Sequence, residues 1–183
     1  EPLKAQAIAP PTLSMRFAVN DSPFAGREGD PRERRTIHLG IDLFDEPGAP
    51  VLAPLAGRVK SVQDNDARLD YGPTVMLEHE GPSGPFWTLY GHLQRASVDE
   101  LTAGDLIEAG QTIARIGLYP DNGDWPPHLH FQIITDLLDH DGDFPGVAVP
   151  QHAPRSRQLF DHALLSGQTI SVNIHRRDQG HIA

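Results

Sequence analysis

Three short runs hold the residues best suited to chemistry: His38-Leu39-Gly40-Ile41-Asp42, Tyr90-Gly91-His92-Leu93 and His128-Leu129-His130-Phe131. Together they supply four imidazoles and one carboxylate. That set can hold one catalytic zinc ion with an open coordination position and still leave two histidines for proton transfer, which points to metal-assisted hydrolysis. Competing chemistries lack their residues. There is no Gly-x-Ser-x-Gly, no Gly-x-x-x-x-Gly-Lys, no dinucleotide-binding glycine pattern and no His-Glu-x-x-His. With the last of these missing, no glutamate of such a motif can act as base, and histidines not bound to metal are the natural candidates. The chain contains no Cys, which removes disulfides, thiolate metal sites and cysteine nucleophiles together.

The spacing says which elements must carry these side chains. Residues two apart in a strand share a face, so His128 and His130 are predicted to point together while Leu129, Phe131 and Ile133 point into a core. His38 and Asp42 lie four apart, and a straight strand rising ~3.3 Å per residue would separate them by roughly 13 Å, too far to meet on one ion. The chain is therefore predicted to bend near Gly40, where a residue without Cβ tolerates a kink. Strands are predicted at 36–43, 57–63, 74–79, 86–92, 112–116 and 129–134, with Glu80 to Pro85 joining two of them as a hairpin. Because Phe86, Thr88, Tyr90 and His92 share parity, that hairpin is expected to bring His92 to the face of the other histidines. His79 continues the Val75, Leu77 alternation and is expected to be a buried structural residue.

Composition sets the outer bounds. With 38% hydrophobic and 22% charged residues the chain reads as one soluble, globular domain, and 17 Gly with 17 Pro among short apolar runs favour strands and turns over a helical bundle. A formal net charge of −10 argues against nucleic acid as partner, and no apolar run approaches the ~20 residues of a membrane helix. The expected organisation is a lead and surface loop over 1–36, one domain over 37–150, and a short helix and polar tail over 151–183. Asp139, Asp141 and Asp143 alternate like the start of a calcium loop, but Phe144 stands where the turn Gly belongs and Pro150 where the bidentate Glu belongs, which leaves a solvated acidic loop. The chain opens at Glu1 without a signal-peptide pattern, so a piece of a longer polypeptide is expected. Oligomeric state and compartment leave no mark in the residues.

The order of the motifs carries a resemblance. His38-x-Gly40-x-Asp42 is followed by Gly48-Ala49-Pro50-Val51, Ala56-Gly57-Arg58-Val59, Tyr90-Gly91-His92-Leu93, Gly104-Asp105, Gly110-Gln111-Thr112-Ile113 and Pro127-His128-Leu129-His130-Phe131. From about His38 to Ile134 the chain closely resembles the M23 metallopeptidases, the lysostaphin-like and LytM-like family that cuts peptide bonds in bacterial peptidoglycan. The resemblance implies a mainly β fold, an antiparallel sheet with a barrel-sandwich-like core and a substrate groove. It implies that His38, Asp42 and His130 bind one zinc ion per chain, and that His92 and His128 flank the attacking water and the scissile carbonyl. Peptide or peptidoglycan is the implied substrate and the bacterial cell envelope the implied setting. Tyr90 and Trp125 are expected along the groove. The chain departs from the family over Leu118 to Pro126, where a small Gly/Ser/Thr-rich segment is usual, so substrate choice is where it is expected to differ. Two other settings accompany the resemblance: a catalytically inactive interaction module that activates other wall enzymes, and a peptidase-like domain of a cytoplasmic multi-enzyme polypeptide. Members of the first kind generally lack metal or catalytic residues, whereas all five are present here.

Overall fold

The computed structural model describes residues 37–82 and 84–149. The expected lead, the C-terminal helix and tail, and His152, His162, His175 and His181 lie outside these residues. The elements run β1 (Ile37–His38), β2 (Ile41–Phe44), β3 (Pro50–Leu52), β4 (Gly57–Asn65), β5 (Gly72–Gly81) and β6 (Gly84–Gly91). They continue with α1 (Arg95–Val98), β7 (Leu106–Ile107), β8 (Thr112–Arg115), β9 (His128–Ile134) and β10 (Val147–Ala148).

A six-stranded sheet in the order β2-β9-β6-β5-β4-β7 forms the frame, every neighbour antiparallel. Two-stranded pairs β3–β8 and β1–β10 accompany it. The β5–β6 hairpin falls at the predicted turn, closing with Gly81 opposite Gly84, where φ is 123° and a residue with Cβ would be strained. The frame ends at β2 and β7 and stays open. The mainly β, antiparallel expectation therefore holds, and the barrel-sandwich-like core takes the form of an open sheet with the main core on one face and a smaller cluster on the other.

Alternation along the central strands sorts side chains between two faces. Leu129, Phe131 and Ile133 of β9, Tyr90 of β6, and Val75 and Leu77 of β5 enter one core, which Val51 of β3, Ile113 and Ala114 of β8 and Val98 of α1 cover from outside. Their alternate neighbours Met76, Leu89 and Ile134 join Tyr71, Leu137 and Phe144 in a second, smaller cluster. Because both faces are covered, β9 is buried along its whole length.

His79 lies in the main core, away from the histidine motifs. Its Nδ1 is 2.9 Å from the Ala56 carbonyl oxygen and its Nε2 is 2.8 Å from Thr88 Oγ1, which in turn lies 3.0 Å from Tyr90 OH. Burial lowers the pKa of His79 and favours the neutral ring, which has a partner for each nitrogen, so as a structural residue of β5 it fastens β6 and the chain entering β4.

Candidate metal centre

Strand pairing places Asp42 opposite His130 and Phe44 opposite His128 across β2 and β9. Directly paired residues in an antiparallel sheet bring their Cβ atoms to about 5 Å. His38 arrives from another direction. β1 pairs with β10 rather than β9, and Leu39 N donates to Gly146 O at 2.9 Å, so the predicted bend separates two strands with different partners. The bend wraps around the His130 ring. A Cβ at Gly40 would lie 2.5 Å from His130 Cε1 and 2.9 Å from the Phe131 carbonyl oxygen, which makes glycine a steric requirement there.

This arrangement brings three donor atoms together. His38 Nε2 and His130 Nδ1 are 3.1 Å apart, His130 Nδ1 and Asp42 Oδ1 3.2 Å, and His38 Nε2 and Asp42 Oδ1 3.3 Å. Tetrahedral zinc with bonds of ~2.0–2.1 Å holds its ligand atoms ~3.3 Å from one another, so the triangle has the size the ion requires. The other nitrogen of His130 is occupied: Nε2 lies 3.2 Å from Gln132 Oε1. The tautomer that donates Nε2–H to the amide oxygen presents the Nδ1 lone pair to the triangle, as a metal ligand must, whereas the other tautomer gives Nδ1–H to Asp42 Oδ1. Burial acts to raise the Asp42 carboxyl, but its hydrogen bonds and charge interactions with His130 and His38 hold it well below the usual carboxylate range, as an anion. Side-chain exposure is 29% for His38 and 19% for Asp42 against 4% for His130, so the triangle opens to solvent on the β1–β2 side. Among the described residues no other set of three His, Cys, Asp or Glu ligand atoms converges in this way.

Two further imidazoles stand beside it. His128 Nδ1 donates to the Pro126 carbonyl oxygen at 2.7 Å, which leaves Nε2 unprotonated and 3.7 Å from Asp42 Oδ1. His92 Nδ1 donates to the Asn122 carbonyl oxygen at 3.0 Å, and its ring centroid is 4.4 Å from that of His128. Burial is the main cause that lowers both pKa values, His92 far below the ordinary histidine range, so both rings are neutral with a free Nε2. His92 does not reach this place by parity. Continued alternation would put it with Tyr90 on the core face; instead β6 stops at Gly91 and His92 takes φ of 62°, turning its ring to the other side.

A model of peptidase family M23 matches residues 36–141, more than half of the chain and a span that contains all five side chains. The chain belongs to peptidase family M23. A curated relative, an uncharacterised metalloprotease of Haemophilus influenzae, is 32% identical over 123 residues, covering 64% of this chain and 23% of that protein. The chain thus spans about a quarter of the length of the curated relative it matches. Among solved structures, LytU aligns with a TM-score of 0.49 at 24% identity over 86% of this chain and 92% of that one. A zinc-containing peptidase from Vibrio cholerae aligns with a TM-score of 0.48 at 28% identity over 66% and 35%.

Around the M23 motifs the structure corrects a further expectation and adds residues the motifs do not contain. Tyr90 is fully buried, with its ring 5.4 Å from that of its register partner Phe131, so it packs the core and lines no groove. Its parity with Phe131 across the sheet is the reason. Trp125 is partly exposed, with its ring 6.0 Å from His92 and 6.3 Å from His128. Gln132 was legible in principle, since it shares the His128, His130 face of β9. Asn122 and Tyr71 were not, because they reach the site from loops. Tyr71 puts its ring 5.0 Å from His130 and 5.8 Å from His92, and its hydroxyl donates to Phe144 O at 3.0 Å. It fits because Gly91 and Gly146 lack side chains: a Cβ at either would fall inside van der Waals contact with the Tyr71 ring or hydroxyl.

Proposed function

We propose that this M23 domain is a zinc metalloendopeptidase cutting peptidoglycan crosslinks or similar short peptides that contain Gly or Ala. His38, Asp42 and His130 are its metal ligands and His92 and His128 its catalytic pair. The observation that carries this reading is the triangle of donor atoms, with sides of 3.1, 3.2 and 3.3 Å, beside two buried neutral imidazoles. Bound in that triangle, zinc supplies a Lewis acid that polarises the scissile carbonyl and lowers the pKa of water.

The chain's own residues do the rest. Asp42 contributes the one anionic ligand, so an ion held there keeps about one net positive charge toward the substrate. His128, with its Nε2 free, and His92, 4.4 Å away between ring centroids, form a pair of bases. Between them they take one proton from the attacking water and return it to the departing amine, so neither ring keeps a charge over a turnover. The Pro126 and Asn122 carbonyls fix the orientation of both rings through Nδ1.

Digestion of purified peptidoglycan, with mass analysis of the released fragments, tests the proposal. The expected result is new amino and carboxyl termini within the crosslinks from the zinc-loaded chain and none from His128→Ala. Intact peptidoglycan alongside rapid cleavage of unrelated peptides would move the substrate elsewhere.

A further inference from the structure

Phe44 is 42% exposed although it lies on the sheet face that carries the triangle. Its ring stacks on His128, centroids 5.0 Å apart and planes 24° from parallel. A second aromatic, Trp125, meets the same imidazole at 6.3 Å with its plane at 85°. Two partly exposed aromatic rings thus flank one buried imidazole of the site, and apolar and aromatic lining around a few placed polar groups is the usual make-up of a ligand site. The distance along β2 sets what part of a ligand would meet it. Phe44 lies two residues beyond Asp42, which in a strand is ~6.6 Å, the length of about two residues of an extended peptide.

We propose that Phe44 is a specificity-determining residue whose ring, together with Trp125, receives an apolar side chain within about two residues of the scissile bond. This rests on the metallopeptidase reading above and narrows it: peptides carrying Ala, Leu or a larger apolar side chain near the cut are favoured over all-glycine peptides. An all-glycine segment presents only backbone to the two rings and gains little from them. An apolar side chain gains contact with the exposed ring surface, the scale of discrimination available to an apolar pocket being about ten- to two-hundredfold.

The test uses the zinc-loaded chain and a matched series of short peptides with Gly, Ala, Leu or Phe on either side of one bond. The wild type should show at least about tenfold higher kcat/KM for the best apolar peptide than for the all-glycine one. In Phe44→Ala that ratio should fall to within about threefold, and Phe44→Leu should restore part of it. Because the ring is half in solvent, both variants should melt within a few degrees of wild type, which separates the effect from misfolding. An unchanged ratio in Phe44→Ala overturns the proposal, and so does an equal loss on every peptide, which would make the ring a support for His128 alone. Calorimetric titration of the same peptides separates this inference from the catalytic reading. Phe44-dependent preference in binding without any cleavage keeps the first and removes the second; no preference in either measurement removes the inference.

Discussion

His92 sits in a left-handed conformation that residues with a Cβ seldom adopt, at a cost of about 1–3 kcal/mol. Two main-chain bonds hold it there: His92 N donates to Tyr71 O at 2.7 Å, and Gly117 N donates to His92 O at 2.9 Å. The backbone rather than the side chain maintains the turn, so His92→Ala and His128→Ala should both fold and retain metal while losing roughly 10²- to 10⁴-fold in turnover. Steady-state kinetics beside elemental analysis checks this, and wild-type turnover in either variant would remove that histidine from the mechanism. At this scale the sequence was legible where alternation operates and misleading where one dihedral interrupts it. His128, His130 and the core residues between them follow the period of a strand. The same rule grouped His92 with Tyr90, and the positive φ at His92 sent the two to opposite faces. Asn122 contributes a carbonyl, an atom that every residue possesses, so no residue type announced it.

The elements depend on places where chain passes chain without room for a side chain. Gly40 is the plainest: the bend between β1 and β2 folds over His130, and a methyl group there would overlap both the imidazole and the β9 backbone. Gly40→Ala should therefore lower zinc affinity at least about tenfold and depress the melting temperature, since overpacking a close contact typically costs 1–3 kcal/mol. Chelator competition and a thermal melt measure the two effects, and wild-type zinc affinity in the variant would mean that the bend can relax. A similar device seats the loop before His128. A Cβ at Gly72 would strike the Asp121 carbonyl oxygen and one at Gly123 the Asp70 carbonyl oxygen, while Leu69 N donates to Gly123 O at 3.0 Å. The loop lies flush on the turn before β5 and carries Asn122 and Trp125 to the histidines. The need for a bend at Gly40 was visible in the four-residue spacing of His38 and Asp42. The seating of this loop was not, because its partners are distant in sequence and nothing local marks them. The two- and three-residue strands β3, β7 and β10 escaped for a different reason: so few residues show no period.

At the scale of the molecule, one sheet serves two purposes by facing two ways. Its core face is sealed by β3, β8 and α1, and its other face holds the histidines at one end and the Tyr71, Met76, Leu89 cluster further along. The strand-rich class, the six longer strands and one hairpin could be read from alternation and turn residues, while the antiparallel sheet followed from the resemblance. The openness of the sheet could not, since closure depends on which strands become edges. Among the described residues no helix is long and apolar enough to cross a membrane. In the proposed function, one zinc site assembled by this fold carries peptide hydrolysis. Its most direct test is to strip the full chain with a chelator, titrate zinc back, and follow metal content and peptide cleavage together in wild type and His130→Ala. The account predicts no turnover without metal, full recovery at one zinc per chain, and neither binding nor activity in the variant, because two protein ligands rarely hold zinc tightly. Hydrolysis by the stripped chain, or full zinc occupancy in His130→Ala, would contradict it.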